Sequence, residues 1–213
     1  MTHGLQLTDR DREIVQALVQ KVRLFSQRQI AGHWWNGELP NARKRLKRLA
    51  KGELLEHESV QARPTPVLDS PLLSWSPDEP EPECGPVAYQ CQQRWRLRPT
   101  RPCTVWIATE HGSQLFGGVR RGELKSPMQA THDLGVAAVW LRLREVAPAW
   151  AAAWRGEDLL AHTRRGEKLP DAFIVDQGER VLWVIEFGGG YDADRVRAFH
   201  QDCASRRLSY QLW

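Results

Sequence analysis

The sequence predicts a mixed α+β protein with a helical N-terminal part and a C-terminal part organised around strands. Apolar residues recur at helical spacing through residues 6–51, behind residues that favour helix starts. Two short apolar runs, 169–175 and 180–187, flank a turn-like segment and have the form of a buried hairpin. A proline-rich stretch separates the two parts. The predicted division is a first domain over 1–62, a linker over 63–86 and a second domain over 87–213.

Three helices are predicted in the N-terminal part. Thr8 is a good N-cap for the first, over residues 6–20, and the acids after it suit the positive end of a helix. Residues 26–29 read Ser-Gln-Arg-Gln, a capping box that opens the second helix, and Asn36-Gly37 ends it. The third helix runs from Pro40 to a glycine stop at Gly52.

The third helix is strongly basic on one side. Ala42, Leu46 and Leu49 form its inner face, and a strand over residues 53–60 follows. Three short helices and a β element resemble a winged helix-turn-helix, whose basic helix lies in the major groove while its cations contact phosphates. A three-helix bundle with a solvated basic face is the alternative. The candidate DNA-binding residues are Arg28, Arg43, Lys44, Arg45, Lys47, Arg48 and Lys51.

Charge is distributed unevenly along a chain whose net charge is +4. Residues 1–63 hold 12 Lys and Arg against 7 Asp and Glu. Residues 64–90 hold five acids and neither Lys nor Arg, whereas residues 91–130 hold 7 basic residues against 2 acids. Excess positive charge in the first and third stretches favours a polyanion as the partner.

The third stretch contains two local basic features. Arg94, Arg96, Arg98 and Arg101 are interleaved with Trp95, and residues 117–122 read as a basic loop. Arginine next to an aromatic ring can grip a nucleic-acid backbone. A surface loop anchored by one buried tryptophan is the alternative.

Composition excludes membrane-spanning and disulfide-rich secreted proteins. No apolar run approaches the roughly 20 residues that cross a bilayer, and the N-terminus has no signal-peptide pattern. The predicted location is therefore the cytoplasm, with no membrane partner. The four cysteines show no CxxC spacing, which argues against a zinc site and against a disulfide framework.

Each run of the predicted hairpin carries one carboxylate. Asp171 stands at the start of the first run and Glu186 near the end of the second. Burying a carboxylate costs free energy unless it meets a cation, a metal ion or hydrogen-bond donors. Two acids on neighbouring strands are therefore a candidate metal site.

The surroundings of these acids resemble the core of the PD-(D/E)XK nuclease superfamily. Pro170-Asp171 is followed by Glu186 fifteen residues after the aspartate. The predicted elements follow that superfamily's restriction-endonuclease-like α-β-β-β-α-β order, and the resemblance implies Mg²⁺ at Asp171 and Glu186. The pattern has Lys two residues after the second acid, where this chain has Gly188. The remaining elements in that order are a helix near 133–146, a strand around 154–160, a helix near 192–206 and a strand over 208–213.

A second resemblance covers most of the chain. His132-Asp133 at a predicted helix start, the Pro-Asp strand, and the Glu strand followed by glycines and Tyr191 are similar to the replication-relaxation family. Those plasmid and mobile-element proteins join a winged helix to a nuclease-like domain, and some nick DNA as relaxases. The catalytic set that this resemblance implies is His132, Asp171, Glu186 and Tyr191.

Two hypotheses of function follow. In the first, the protein binds double-stranded DNA for the regulation or replication of a mobile element, and its nuclease-like domain is degenerate. In the second, it is a Mg²⁺-dependent DNA nickase or relaxase that uses Asp171 and Glu186. The missing lysine favours the first hypothesis, and the retained acids keep the second open. A homodimer is compatible with both.

Overall fold

The computed structural model describes residues 5–118, 126–160 and 169–213. The chain is a mixed α+β protein that divides into two compact units. Unit 1 consists of the residues up to Ala62 together with Arg101–Ala137, and unit 2 of Arg63–Thr100 and Ala138–Trp213. Each unit is therefore assembled from two separate stretches of sequence.

Helices and strands are numbered along the chain. Within the described residues, the helices are α1 Asp9–Gln20, α2 Gln27–Trp34, α3 Leu39–Lys51, α4 Cys84–Gln93, α5 Glu110–Phe116, α6 Pro127–Val146, α7 Pro148–Ala153, α8 Glu157–Leu160 and α9 Ala193–Ser205. The strands are β1 Phe25–Ser26, β2 Leu55–Ala62, β3 Leu73–Trp75, β4 Arg101–Ala108, β5 Trp154–Gly156, β6 Ala172–Val175, β7 Val181–Glu186 and β8 Tyr210–Leu212.

The three N-terminal helices form where the capping residues predict them. Thr8 caps α1 in a reciprocal capping box with Asp11, and Ser26 does the same for α2 with Gln29. The turn between α2 and α3 contains two residues with positive φ, Asn36 at 47° and Gly37 at 88°. Asparagine and glycine tolerate this left-handed conformation best, which explains the break between the helices.

A three-stranded antiparallel sheet completes unit 1, in the order β1-β4-β2. The strand predicted after α3 is confirmed as β2, and Arg101–Ala108 form β4. The two pair over their whole length, from Leu55 opposite Ala108 to Ala62 opposite Arg101. Residues 101–137, assigned from sequence to the second domain, therefore group with the first unit, because β4 is the central strand of its sheet.

Helix α6 begins earlier than predicted. The sequence suggested a start at Thr131–Asp133, but the helix starts at Pro127, with the hydroxyl of Ser126 accepting from the backbone N–H of Gln129 at 3.2 Å. Serine before a proline at the first helical position is a strong start signal. The basic loop predicted at 117–122 lies mostly outside the described residues.

The sheet of unit 2 has five strands in the order β3-β8-β7-β6-β5. Strands β5, β6 and β7 form an antiparallel meander, and β8 returns parallel to β7 after α9. The order α6, β5, β6, β7, α9, β8 matches the predicted α-β-β-β-α-β sequence of elements, with α7 and α8 as additional short helices. The predicted strand at 154–160 is shorter than expected, because its second half forms α8.

The proline-rich stretch contributes a strand to unit 2. Its strand β3 pairs antiparallel with β8, from Leu73 opposite Leu212 to Trp75 opposite Tyr210. Trp75 is 6% exposed and its ring stacks on Tyr210 with centroids 5.6 Å apart. This burial of a large aromatic surface holds the segment against the sheet.

Candidate functional site

Helix α3 separates its apolar and basic residues cleanly. Ala42, Leu46 and Leu49 are each 0% exposed, as predicted. The basic residues that follow the opposite side of the helix are exposed, and so is Arg28 on α2. In the described parts of the chain, no acid forms an ion pair with any of them. The exposed cations of α3 are Arg43, Lys44, Lys47, Arg48 and Lys51.

Arg45 departs from this pattern and has a structural role. Its Nε donates to both carboxylate oxygens of Asp11, at 2.9 and 3.1 Å, and one Nη donates to the same carboxylate and to the backbone oxygen of Gln6. The side chain of Asp11 is 0% exposed and that of Arg45 is 21% exposed. Arg45, predicted as a DNA contact, ties α3 to α1.

The ionisation of Asp11 reflects this pairing. Burial alone would raise the pKa of the Asp11 carboxyl, but hydrogen bonds from Arg45 and Thr8 outweigh it and lower the pKa. The sequence contained a signal for this contact: Asp11 precedes Ile14, Val15 and Leu18 by three, four and seven residues, which places it on the buried face of α1.

Asp171 and Glu186 lie side by side at the end of the β6–β7 hairpin. Ala172 pairs with Ile185, so continuing that register by one residue sets Asp171 opposite Glu186. Each carboxylate accepts a backbone N–H from the facing strand end: the N–H of Phe187 donates to Oδ2 of Asp171 at 2.7 Å, and the N–H of Asp171 donates to Oε2 of Glu186 at 3.2 Å. The prediction that neighbouring strands hold both acids together is confirmed.

Tyr191 forms a hydrogen bond with the acid pair. Its hydroxyl donates to Oε1 of Glu186, which is itself only 6% exposed. Burial, then the negative charge and hydrogen bonding of Glu186 and the charge of Asp171, raise the pKa of the Tyr191 phenol well above its ordinary value. The guanidinium of Arg195, 5.4 Å from the centre of the Tyr191 ring, opposes this shift. The phenol is therefore held protonated, as a donor to Glu186.

The acid pair is already engaged in hydrogen bonds within the protein. Each oxygen of Glu186 accepts one of them, so a cation at Glu186 would have to share Oε1 with the Tyr191 hydroxyl or Oε2 with the Asp171 N–H. Mg²⁺ requires near-octahedral oxygen ligands. Across residues 5–118, 126–160 and 169–213, no group of three or more His, Cys, Asp or Glu is placed to hold a metal ion.

The other predicted site positions behave differently. Helix α6 spans the division at Ala137, and His132 lies in its unit 1 part, whereas Asp171, Glu186 and Tyr191 lie in unit 2, so the implied catalytic set divides between the units. At Gly188, an added Cβ would lie 3.0 Å from Sγ of Cys91 and 3.2 Å from Cδ1 of Leu212. Contacts this short require Cys91 or Leu212 to move, which is a physical reason why glycine fits position 188 better than a residue with a side chain.

Comparisons with protein-family models, with curated proteins and with solved structures found no significant match to this chain. The described residues contain no helix with both the length and the apolar character needed to cross a bilayer. All four cysteines are free thiols, and burial is the main cause that raises the pKa of Cys84, Cys91 and Cys103.

Proposed function

We propose that this protein binds duplex DNA through α3, as the recognition helix of a winged helix-turn-helix in unit 1. The observation that carries this proposal is the set of five exposed cations on a helix whose inner face is fully buried. Uncompensated positive charge along an exposed helix attracts the phosphate backbone. A helix so exposed can also enter the major groove.

The architecture of unit 1 supports this role for α3. Helix α2, a four-residue turn and α3 have the connectivity of a helix-turn-helix. The Asp11–Arg45 pair fixes α3 on α1, and the indole N–H of Trp34 on α2 donates to Glu13 of α1 at 2.7 Å. These contacts hold α2 and α3 against α1, while the basic side of α3 stays exposed. The sheet that contains β2 supplies the wing.

For unit 2 we propose a restriction-endonuclease-like fold whose acid pair has become structural. The α-β-β-β-α-β order and the paired acids favour this fold. The glycine at 188, the crowding around it and the internal hydrogen bonds of Glu186 favour a degenerate site. The protein would then serve a plasmid or other mobile element as a DNA-binding regulator or replication factor in the cytoplasm, alone or as a homodimer.

The test of DNA binding neutralises α3 without touching Arg45. The triple variant Arg43→Gln, Lys44→Gln, Lys47→Gln should bind a labelled duplex more weakly. The plot of log affinity against log salt concentration has a negative slope, and its magnitude should decrease by about 2.7, because each lost phosphate contact contributes about 0.9. Fluorescence anisotropy across a salt series measures both quantities.

A matched control removes the same charge elsewhere. Arg180, Arg197 and Arg207 are exposed residues of unit 2, and their joint replacement by Gln should leave the slope near that of the wild type. Equal losses in the two triple variants would mean that net charge, and not α3, determines binding.

One observation favours the nickase as a second candidate. The hydroxyl of Tyr191 is hydrogen-bonded to the carboxylate of Glu186, and a nucleophile beside its general base has the same arrangement. The raised pKa of Tyr191 argues against this role, because activated nucleophiles have lowered pKa values or an accessible base. Incubating supercoiled plasmid with the protein and Mg²⁺ or Mn²⁺ decides between the candidates. Nicking that Tyr191→Phe, Asp171→Ala and Glu186→Ala each abolish would establish the enzyme.

A further inference from the structure

Unit 2 carries a second basic surface, at the C-terminal end of α4. After Gln93 the chain winds through a series of tight turns, in which the N–H groups of Trp95, Arg96 and Arg98 donate to the backbone oxygens three residues before them. We call residues 94–98 the arginine turn. It contains three arginines within five residues. The sequence has no acidic residue between positions 84 and 109, so the local charge is positive.

The arginine turn is built on a buried tryptophan. Trp95 is 7% exposed, and its ring meets Phe187 edge-on with centroids 6.1 Å apart. The guanidinium of Arg63 lies 5.9 Å from the Trp95 ring and donates to the Trp95 backbone oxygen at 3.4 Å. The buried ring of Trp95 therefore anchors the arginine turn against Phe187, the residue that follows Glu186.

Among the residues that the structure describes, no acid pairs with the arginines of the turn. Arg98 donates to the backbone oxygen of Thr65 at 3.1 Å. No carboxylate in the described stretches pairs with Arg94 or Arg96, although Arg94 is half-buried. Burial lowers the pKa of the Arg94 guanidinium from its ordinary value.

The arginine turn is open to solvent. The residues that line its shallow, open depression are Gln93, Arg94, Arg96, Leu97 and Arg98. Leu97 is 90% exposed, so an apolar side chain lies among the cations. Because Trp95 is buried, its ring is not offered for stacking on bases, which removes the feature that single-strand binders use.

We propose that the arginine turn binds the phosphodiester backbone of DNA as a second, sequence-independent contact surface, in addition to α3. Planar guanidinium groups match the oxygens of a phosphate in two parallel hydrogen bonds. Arg94 and Arg96 supply these contacts, and Arg98, held by the backbone of residues 64–65, keeps the turn in shape. This inference rests on the proposed binding of DNA but not on the recognition role of α3.

The test uses the full chain and the double variant Arg94→Gln, Arg96→Gln, with Arg180→Gln, Arg197→Gln as the control of equal charge. Anisotropy with a labelled duplex between about 50 and 200 mM salt should give a slope lower by about 1.8 in the double variant than in the control. The variant Arg94→Lys, Arg96→Lys keeps the charge and should recover most of that slope. A slope in the double variant equal to that of the control overturns the proposal.

Two further measurements keep the outcome clear. Arg96→Gln alone, at an exposed position, should lower the slope by about 0.9 without changing the urea midpoint, so unfolding cannot explain a loss. Loss of binding in the α3 triple variant with no effect of the turn variants rejects the second surface and retains the proposed function. The reverse pattern retains the second surface and rejects α3 as the recognition helix. Equal binding to duplex DNA and to polyglutamate rejects a phosphate-directed surface.

Discussion

The basic face of α3 exposes its charges to solvent, whereas the charges of the acid pair in unit 2 are compensated by hydrogen bonds within the fold. On α3, five cations project into solvent without an acidic partner in the described residues. At the β6–β7 hairpin, the oxygens of Glu186 accept from the Asp171 backbone and from Tyr191, and Asp171 accepts from Phe187. An exposed charge keeps its hydration and needs no partner, whereas a buried charge must be compensated within the fold.

This difference teaches which charges are available for function. Solvated cations can exchange their counterions for phosphates and gain free energy on binding. The carboxylate of Glu186 is 6% exposed and already accepts two hydrogen bonds, so it is less available to a ligand than a solvated charge. The comparison holds within α3 as well, because Arg45 is compensated by Asp11 while Arg43 is not.

The largest expected effect separates those two arginines. Arg45→Gln should lower the free energy of unfolding by about 3 kcal/mol, because it leaves the buried carboxylate of Asp11 without its cation. Arg43→Gln, on an exposed position, should change it by less than about 0.5 kcal/mol. Urea unfolding followed by tryptophan fluorescence measures both.

DNA binding should show the reverse order. Arg43→Gln should reduce the salt slope by about 0.9, and Arg45→Gln should leave it unchanged under conditions where the variant is folded. If Arg45→Gln weakened DNA binding as much as Arg43→Gln did, Arg45 would belong to the basic face after all.

A smaller effect tests whether the acid pair is part of the fold. Tyr191→Phe should lower the free energy of unfolding by about 2 kcal/mol, since a buried charged acceptor loses one of its donors. Tyr89, which is 63% exposed, provides the matched control, and Tyr89→Phe should have almost no effect. A rise in the wild-type unfolding midpoint with Mn²⁺ that Asp171→Asn removes would show that the acid pair binds a cation.

The success of the sequence predictions depended on how local each interaction is. The caps at Thr8 and Ser26, the break at Asn36-Gly37 and the inner face of α3 are set by residues within one or two helical turns, so their patterns predict them. The acid pair was also predictable, because a hairpin brings its two strands together through a short turn.

Long-range partners could not be predicted in this way. Strand β2 pairs with β4, which begins 39 residues after β2 ends (62 to 101), and no local pattern specifies that partner. Because of this pairing, unit 1 is assembled from two separate stretches of sequence. The role of Arg45 was missed because its five basic neighbours on α3 made it resemble a surface cation, although Asp11 on the apolar face of α1 required a partner.

A further prediction concerns stability in acid. The folded-state pKa of Asp11 lies below its unfolded value of about 3.8, so its contribution to stability is complete above that pH and is lost as the pH falls through the lower, folded pKa. The urea midpoint of the wild type should therefore fall as the pH drops below about 4. Arg45→Gln should show a shallower decline, because its Asp11 no longer has a cation to favour ionisation. Parallel declines would place the acid sensitivity elsewhere.

The smallest effect appears in alkali, where the acid pair should be visible by absorbance. The chain has three tyrosines, and burial is the first cause that raises the pKa of both Tyr191 and Tyr210. Because these folded-state pKa values are higher than the unfolded ones, the associated stability is present below about pH 10 and declines as the pH rises above it. The native protein should form less phenolate near pH 10 than the urea-unfolded protein does. Tyr191→Phe and Tyr210→Phe should each remove part of that difference, and a Tyr191→Phe titration that kept the full difference would mean that the Tyr191 phenol is free to ionise beside Glu186, as a relaxase nucleophile would be.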